Sequence, residues 1–217
     1  KMTNSNTNKM EIKMKKLSII LLFGITLPFS FSAEGQESEF DPNELKAEYF
    51  QNEEVKDDLL FNDKKGNSYK VNKSDNRRGV YIKKDDEWLK HGAFFNLSEG
   101  RVTRKTTYSY GKKHGPYEAY HDNGKIKFQY SYQNDLKEGK WYHYRENGNI
   151  YEECEYKNGK KEGTQITYRK NGEKMFVTTY VNDEKHGESL HYNPKGKLVA
   201  RTQYKAGKQV GEKQWYD

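Results

Sequence analysis

The second half of the chain repeats with a constant period of 24 residues. Four columns of identical residues, two of glycine and two of tyrosine, keep this period over more than 100 residues. A fixed period of roughly 20–50 residues indicates a repeat array, in which each unit packs against its neighbours. We therefore expect function to reside in a surface built by repetition. The columns are Gly100, Gly124, Gly148, Gly172 and Gly196; Tyr108, Tyr132, Tyr156, Tyr180 and Tyr204; Gly115, Gly139, Gly163, Gly187 and Gly211; and Tyr120, Tyr144, Tyr168, Tyr192 and Tyr216.

Each repeat is predicted to be a β-hairpin. It holds two short runs rich in Tyr, Phe, Ile, Val and Thr, which favour strands. Between the runs lies a turn such as Asn123-Gly124, and Asn-Gly favours a tight hairpin because both residues tolerate positive φ. The linkers between units carry a second turn signal, such as Asn134-Asp135. The fold class is therefore all-β: an elongated sheet of stacked antiparallel hairpins, about ten strands and roughly 45–50 Å long in its regular part.

Composition fits a thin sheet better than a globular core. Only 32% of residues are hydrophobic and the mean hydropathy is −1.25, values that in other chains accompany disorder. Here, however, the aromatic residues recur at fixed spacing. A sheet with few buried residues per unit gains stability by repeating the same contacts.

Side-chain alternation suggests a candidate binding surface. The even and odd offsets within each unit predict that both tyrosine columns share one face of the sheet. The opposite face would then present aromatic and polar side chains that can stack on a ligand; alternatively, it is only the second side of a thin sheet. The candidate binding residues are Tyr117, Trp141, His143, His191 and Trp215, with Gln165 beside them. The structural residues of the repeat are Gly124, Gly148, Gly172, Gly196, Tyr132, Tyr156, Tyr180 and Tyr204.

The repeat motif resembles a known family. Gly-x-x-x-x-Tyr-x-x-Asn-Gly-Lys, followed by a Tyr and then by Lys-x-Gly or His-Gly, recurs within residues 87–217. This pattern resembles the bacterial variant of the MORN repeat, and the chain resembles the YwqK-type antitoxins of toxin–antitoxin systems. The resemblance implies stacked β-hairpins and a binding role, and it brings no catalytic residues. Departures are Asn193-Pro194-Lys195-Gly196 in place of Asn-Gly, and Asp135 and Asp183 in place of a linker glycine.

The first 33 residues are typical of a secretory signal peptide. Met14-Lys15-Lys16 precedes the apolar run 17–27, and small residues follow at Ser30 and Ser32. Residues 1–13 would then be an over-extended start. The alternative is an uncleaved membrane anchor, although the apolar run is shorter than the roughly 20 residues of a spanning helix. We expect export to the periplasm or the cell exterior.

Charge and pattern divide the rest of the chain in two. Residues 34–60 hold ten acidic and two basic residues, whereas residues 61–217 hold 32 basic and 21 acidic ones. Residues 34–66 are predicted to be an acidic linker, with either disorder or a short helix that begins at Asp41 and ends near Leu60. The repeat domain spans residues 67–217, with regular units from about residue 92. Its leading unit is predicted to contain strands at 68–71, 79–82 and 87–89 and an exposed loop at 72–78.

No catalytic, metal or cofactor motif accompanies the repeats. The single cysteine, Cys154, occupies a repeat position where packing is expected, and the histidines fall in repeat columns. We expect no enzyme activity, cofactor or metal, although a cell-envelope hydrolase or transferase is a minor alternative. The partner is expected to be a protein or an anionic cell-envelope component rather than nucleic acid or membrane, except through an uncleaved signal segment. The main alternative is an antitoxin or immunity-type protein that neutralises a toxin by direct binding.

Overall fold

The sequence folds into one continuous antiparallel sheet, as predicted. The computed structural model describes residues 41–43, 45–47, 49, 57–63 and 65–217. Among these residues, fourteen strands follow one another in chain order, and each pairs with the strand before and after it. The strands are β1 (Leu60–Asn62), β2 (Ser68–Ser74), β3 (Arg77–Lys84), β4 (Glu87–Ser98), β5 (Arg101–Ser109), β6 (Lys112–Tyr120), β7 (Ile126–Gln133), β8 (Leu136–Tyr144), β9 (Ile150–Lys157), β10 (Lys160–Tyr168), β11 (Lys174–Val181), β12 (Glu184–Tyr192), β13 (Leu198–Lys205) and β14 (Lys208–Trp215).

Two kinds of turn alternate along the sheet, and the tight one lies in the linkers. Asn134 and Asp135 have φ of 49° and 70°, so they form a two-residue turn of the type that twists with its strands. The Asn-Gly segments form longer loops instead. In the loop after β6 only Gly124 has positive φ, and the backbone N–H of His121 donates to the Lys125 carbonyl over 2.8 Å. The prediction of positive φ at both Asn and Gly was therefore wrong there.

The asparagine of each longer loop acts through its side chain. The Asn123 amide oxygen accepts a hydrogen bond from the backbone N–H of Lys125, at 3.0 Å. Asn147 does the same for Asn149, also at 3.0 Å. Asn side chains favour such local bonds, which fix a turn without requiring positive φ at the asparagine itself.

Successive repeats are joined by hydrogen bonds between their turns. The backbone N–H of Asp135 donates to the Lys113 carbonyl at 2.9 Å, and the Asp135 carboxylate accepts from the Lys113 N–H at 2.9 Å. Asp183 repeats both contacts with Lys161, at 3.0 and 2.7 Å. The two aspartates that replace a linker glycine thus add a contact that glycine cannot make.

The hydrophobic core lies at the N-terminal end of the sheet. Leu45 and Tyr49 cover one face of β2–β5, and the Pro42 carbonyl accepts a hydrogen bond of 2.9 Å from the Ala93 N–H. This segment caps the first unit, as terminal units of repeat arrays require. The buried core residues are Leu45, Tyr49, Tyr69, Val71, Val80, Ile82, Ala93, Phe95 and Leu97.

The region before the regular repeats differs in part from prediction. The strands expected at 68–71, 79–82 and 87–89 are confirmed within β2, β3 and β4, but the loop expected at 72–78 is wrong because β2 and β3 meet in a tight hairpin. β1 lies inside the segment predicted to be linker or helix.

The expected signal segment lies outside the described residues, as do residues 44, 48 and 50–56 of the expected helix; the expected end of that helix near Leu60 lies in β1 instead. Where this stretch is described, Asp41 accepts a hydrogen bond from the Asn43 N–H at 2.8 Å, and Ala47 and Tyr49 lie in a 3₁₀ turn. Within the described part of the chain, no helix has the length and hydropathy needed to cross a membrane.

Candidate functional site

The two tyrosine columns lie on opposite faces of the sheet, so the prediction of a shared face was wrong. In the β6–β7 hairpin Ala119 pairs with Phe128, but Tyr120 pairs with Ile126. The extra residue of β7 is a β-bulge, which reverses the alternation of side chains beyond it. Tyr132 therefore points away from Tyr120. The same shift recurs between His143 and Tyr144, between Thr167 and Tyr168, and between His191 and Tyr192.

The bulges create two chemically different surfaces. We call the surface that carries Tyr132, Tyr156, Tyr180 and Tyr204 the aromatic face. We call the surface that carries Tyr120, Tyr144, Tyr168 and Tyr192 the second face.

All five predicted binding residues lie together on the aromatic face, beside the Tyr132 column rather than opposite it. Tyr117 stacks on Tyr130 with ring centroids 4.4 Å apart, and His143 and His191 lie 4.5 and 4.6 Å from Phe128 and Phe176. Because of these contacts Tyr117, Trp141, His143 and His191 are partly buried. Only Trp215 is strongly exposed, at 69%, on the terminal strand β14.

A row of lysines along the aromatic face was missed at the sequence level. Each lysine lies over the ring of a tyrosine in the next unit, at an N–centroid distance of 4.8–5.2 Å. Since neighbouring members are two strands apart, they are spaced by about 9–10 Å. In the sequence, this row is marked by a lysine two residues before each of Gly92, Gly115, Gly139, Gly163 and Gly187. The pairs are Lys90–Tyr108, Lys113–Tyr132, Lys137–Tyr156, Lys161–Tyr180 and Lys185–Tyr204.

The aromatic face is consequently basic. Strand pairing from β6 to β14 places the lysine row and Lys213 on it, and Glu152 is the one carboxylate among the described strand residues of that stretch and face. Burial raises the pKa of Glu152, which favours its neutral form. A surface with this imbalance attracts anions.

The second face pairs its tyrosines with acceptors instead. The Tyr120 hydroxyl donates to Glu118 at 2.6 Å, and the Tyr168 hydroxyl donates to Glu153 at 2.6 Å. Burial, together with the hydrogen bond to Glu153, raises the pKa of Tyr168 to about 12. This face carries carboxylates such as Glu118, Glu138 and Glu162 as well as lysines, so its charge is mixed and it lacks the positive imbalance of the aromatic face.

The histidines of the aromatic face are held neutral near pH 7. Burial lowers the pKa of His143, with further contributions from Lys127, His121 and Arg145. Burial also lowers the pKa of His191, assisted by the positive charges of Lys213 and Arg169. In the described part of the chain, no three His, Cys, Asp or Glu side chains converge as metal ligands would.

Cys154 is buried on the aromatic face opposite Trp141. Burial raises its pKa to about 11, so the thiol is protonated at neutral pH. A thiolate nucleophile would need the opposite shift. The position therefore fits the predicted packing role.

A groove opens on the aromatic face across β10–β14. Its volume is about 370 Å³. Its floor is formed by pairs of residues on adjacent strands, and the residues at these positions become smaller from one repeat to the next. The pair Tyr117–Tyr130 fills the floor in one unit and Trp141–Cys154 in the next. The following pairs are Gln165–Thr178 and Ser189–Thr202. Because small side chains replace aromatic ones, space is left between the walls.

The groove walls differ in character. One wall consists of Tyr180 and Tyr204 with Lys185 over the Tyr204 ring, and the other contains Phe176 and His191. Tyr180 lies four positions after Phe176 along β11, so the walls stand about 13 Å apart. The arrangement combines ring surface, hydroxyl groups and positive charge, which suits binding.

Comparison with known proteins bears on three of the repeat units. The model of the MORN repeat variant matches residues 113–134, 137–158 and 185–206. These three units are therefore similar to MORN-type repeats. Each segment covers two consecutive strands almost completely: β6 and β7, β8 and β9, or β12 and β13. The matched unit is therefore one β-hairpin. No curated protein matches the chain.

Proposed function

We propose that this MORN-repeat chain is a non-enzymatic binding scaffold, exported to the periplasm or cell exterior of a bacterium, that holds a protein or cell-envelope partner on its aromatic face. One observation carries the proposal. The lysine row and the stacked aromatic rings occupy the same face, whereas lysines and carboxylates are mixed on the second face. MORN repeats serve generally as protein- or membrane-binding units, which agrees with this role.

The lysine row is suited to recognition because its charges are regularly spaced and lack acidic partners. None of the ion pairs among the described residues includes Lys113, Lys137 or Lys161. Their ammonium groups lie on rings instead, where a cation–π contact contributes about 0.5–1 kcal/mol, and Lys161 also donates a hydrogen bond to the neutral Gln165 amide at 2.7 Å. A partner with acidic groups would gain from several of these charges together.

Matched lysine variants test this role. One full-length variant replaces three lysines of the aromatic face by Gln, and the other replaces three lysines of the second face, so both lose the same charge. The aromatic-face set is Lys113, Lys137 and Lys161, and the second-face set is Lys112, Lys140 and Lys160.

The immobilised proteins are incubated with the envelope fraction of the cells that make this protein, and retained components are identified by mass spectrometry. We expect a component that wild type and the second-face variant retain and the aromatic-face variant loses. Equal retention by both variants would contradict a role for the aromatic face. Circular dichroism checks that each variant is folded.

The second candidate function is that of an antitoxin or immunity-type protein. The MORN-variant repeats favour it, since the YwqK-type antitoxins that the chain resembles share this repeat. The two functions differ in location, because an exported chain cannot neutralise a cytosolic toxin. A fusion of residues 14–33 to a periplasm-dependent reporter distinguishes them: an active reporter supports the exported scaffold, and a reporter kept in the cytosol supports the antitoxin.

A further inference from the structure

The groove over β10–β14 contains cationic groups that no described carboxylate neutralises. Lys185 lies 4.9 Å from the Tyr204 ring centre and Lys213 lies 4.0 Å from that of Trp215. Neither belongs to an ion pair among the described residues. An anionic group in the groove could form a charge-assisted hydrogen bond with the half-buried Lys185, and the exposed Lys213 adds a second positive charge.

The floor of the groove presents hydroxyl groups. The hydroxyls of Thr178 and Ser189 lie 2.8 Å apart and bond to each other, and Thr202 lies opposite Ser189 in the register. A hydroxyl donates one hydrogen bond and accepts up to two. The floor therefore retains capacity to bind a ligand that is itself rich in hydroxyls.

The wall opposite Lys185 is apolar. Phe176 stacks on His191 at 4.6 Å yet remains 39% exposed. Trp215 extends this row of rings onto β14, and Lys213 lies over its ring. Small-ligand sites combine such ring surface with a few well-placed polar groups. The volume of about 370 Å³ is at the lower end of the roughly 300–1,000 Å³ typical of those sites, which suits units of a chain-like ligand rather than a folded protein surface.

These features favour a sugar chain over an extended peptide. A peptide bound as an added strand needs unpaired backbone groups at a sheet edge. The free edge of the sheet at this end is the outer side of β14, beyond the groove floor, whereas the backbone groups of β11, β12 and β13 beneath the groove already bond to the neighbouring strands. Only side-chain hydroxyls, rings and ammonium groups are left, and these match the hydroxyls, the C–H surface and an acidic substituent of a sugar.

We propose that the groove binds a short anionic sugar chain, with the C–H face of one ring against Phe176, its hydroxyls at Thr178 and Ser189, and its acidic group at Lys185 and Lys213. This inference rests on the proposed scaffold function and names the ligand class of its aromatic face. The shared ligand chemistry is a sugar ring that bears a carboxylate or a phosphate.

Isothermal titration of the full-length protein with defined probes tests the inference. Tetragalacturonate supplies the carboxylate, maltotetraose 1-phosphate supplies the phosphate, and maltotetraose is the neutral control. A tetraglutamate peptide carries the charge without the sugar. We expect one of the anionic sugars to bind at least about tenfold more tightly than maltotetraose and tetraglutamate, because the neutral control lacks the charge-assisted bonds. Which anionic sugar binds more tightly identifies the acidic group.

Two variants locate the binding. Ser189→Trp fills the groove with the residue that stands at the equivalent position as Trp141, so the repeat fold is expected to tolerate it. Lys185→Met removes one charge but keeps the apolar stem, and Lys205→Met on the second face is its matched control. We expect Ser189→Trp and Lys185→Met to weaken anionic-sugar binding by about tenfold or more, and Lys205→Met by less than about twofold.

Three results would overturn the inference: no binding of either anionic sugar, equal binding of tetraglutamate, or full binding by Ser189→Trp. If the sugars fail while the aromatic-face lysine variant still loses an envelope component, the scaffold function stands and only the ligand class is wrong. If that variant and Lys185→Met both retain every component that wild type retains, the scaffold function itself fails.

Discussion

The contact between Gly92 and the N-terminal segment can be tested with one methyl group. Gly92 has φ of 75°, and a Cβ added there would press against the Pro42 carbonyl, with its carbon at 2.5 Å. Gly139 is paired with Tyr156 as Gly92 is with Tyr108 and has the same φ of 75°, but nothing lies within 4 Å of a Cβ added there. Gly139→Ala therefore carries only the strain of positive φ, about 1–2 kcal/mol, and Gly92→Ala carries that strain and the collision.

The magnitude of the difference follows from what the collision displaces. If the segment moves, the hydrogen bond from Ala93 to Pro42 is lost, at about 1 kcal/mol. The burial of Leu45, now 6% exposed, contributes about 1.5–3 kcal/mol more. Backbone entropy regained by the released segment offsets part of this sum. We expect Gly92→Ala to lower the free energy of unfolding by about 1–3 kcal/mol more than Gly139→Ala does.

Urea unfolding followed by tryptophan fluorescence measures this difference, and amide hydrogen exchange at Ala93 reports directly on the contact. We expect faster exchange at Ala93 in Gly92→Ala and unchanged exchange in Gly139→Ala. Equal destabilisation by both substitutions, with Ala93 equally protected, would refute the placement of Pro42 against Gly92.

Three further predictions concern the array. Deletion of residues 148–171 removes one whole unit and should leave a shorter folded sheet, whereas deletion of residues 148–159 removes one strand and should abolish cooperative unfolding beyond it; circular dichroism and urea titration compare the two. Because burial raises the pKa of Cys154 to about 11, its thiol should react with a disulfide reagent at pH 8 far more slowly in the folded protein than in urea. The pKa of Tyr168 is raised to about 12, so the folded state resists ionisation of this tyrosine. Its contribution to stability is therefore complete below pH 10 and is lost as the pH rises to 12. Glu153→Gln should shift this loss toward lower pH, which ultraviolet titration of the tyrosine measures.

The all-β repeat could be predicted from sequence because its signals are local and repeated 24 residues apart. Strand-forming runs and turn residues determine where each hairpin reverses. The bulge next to Tyr120 could not be predicted from the spacing of the tyrosines. The extra residue in β7 reverses which face of the sheet the side chains beyond it point to, so Tyr120 and Tyr132 lie on opposite faces. Because that bulge was not predicted, the tyrosine column that contains Tyr132 was placed on the face opposite the candidate binding residues. The candidate residues themselves were correctly placed together on one face.

Long-range contacts account for the other omissions. The capping of β2–β5 by Pro42, Leu45 and Tyr49 depends on residues outside the period, which therefore have no repeated signal. The groove required knowledge that Ser189 and Thr202 face each other and that aromatic residues occupy the same floor in earlier units. The lysine row was visible as a column, but the contact between Lys137 and Tyr156 emerges only once the register is known.

Each repeat unit adds two strands to the sheet, and this has a consequence for how such a protein evolves by gain or loss of repeats. Since each copy advances the lysine row by about 9–10 Å, gain or loss of one copy alters the reach of the surface by a whole increment and leaves the spacing within it intact. The length of the surface and its selectivity can therefore change independently. Duplication of a repeat sets how many lysines the row contains, and substitution at a floor position such as Ser189 determines how large a ligand group fits there.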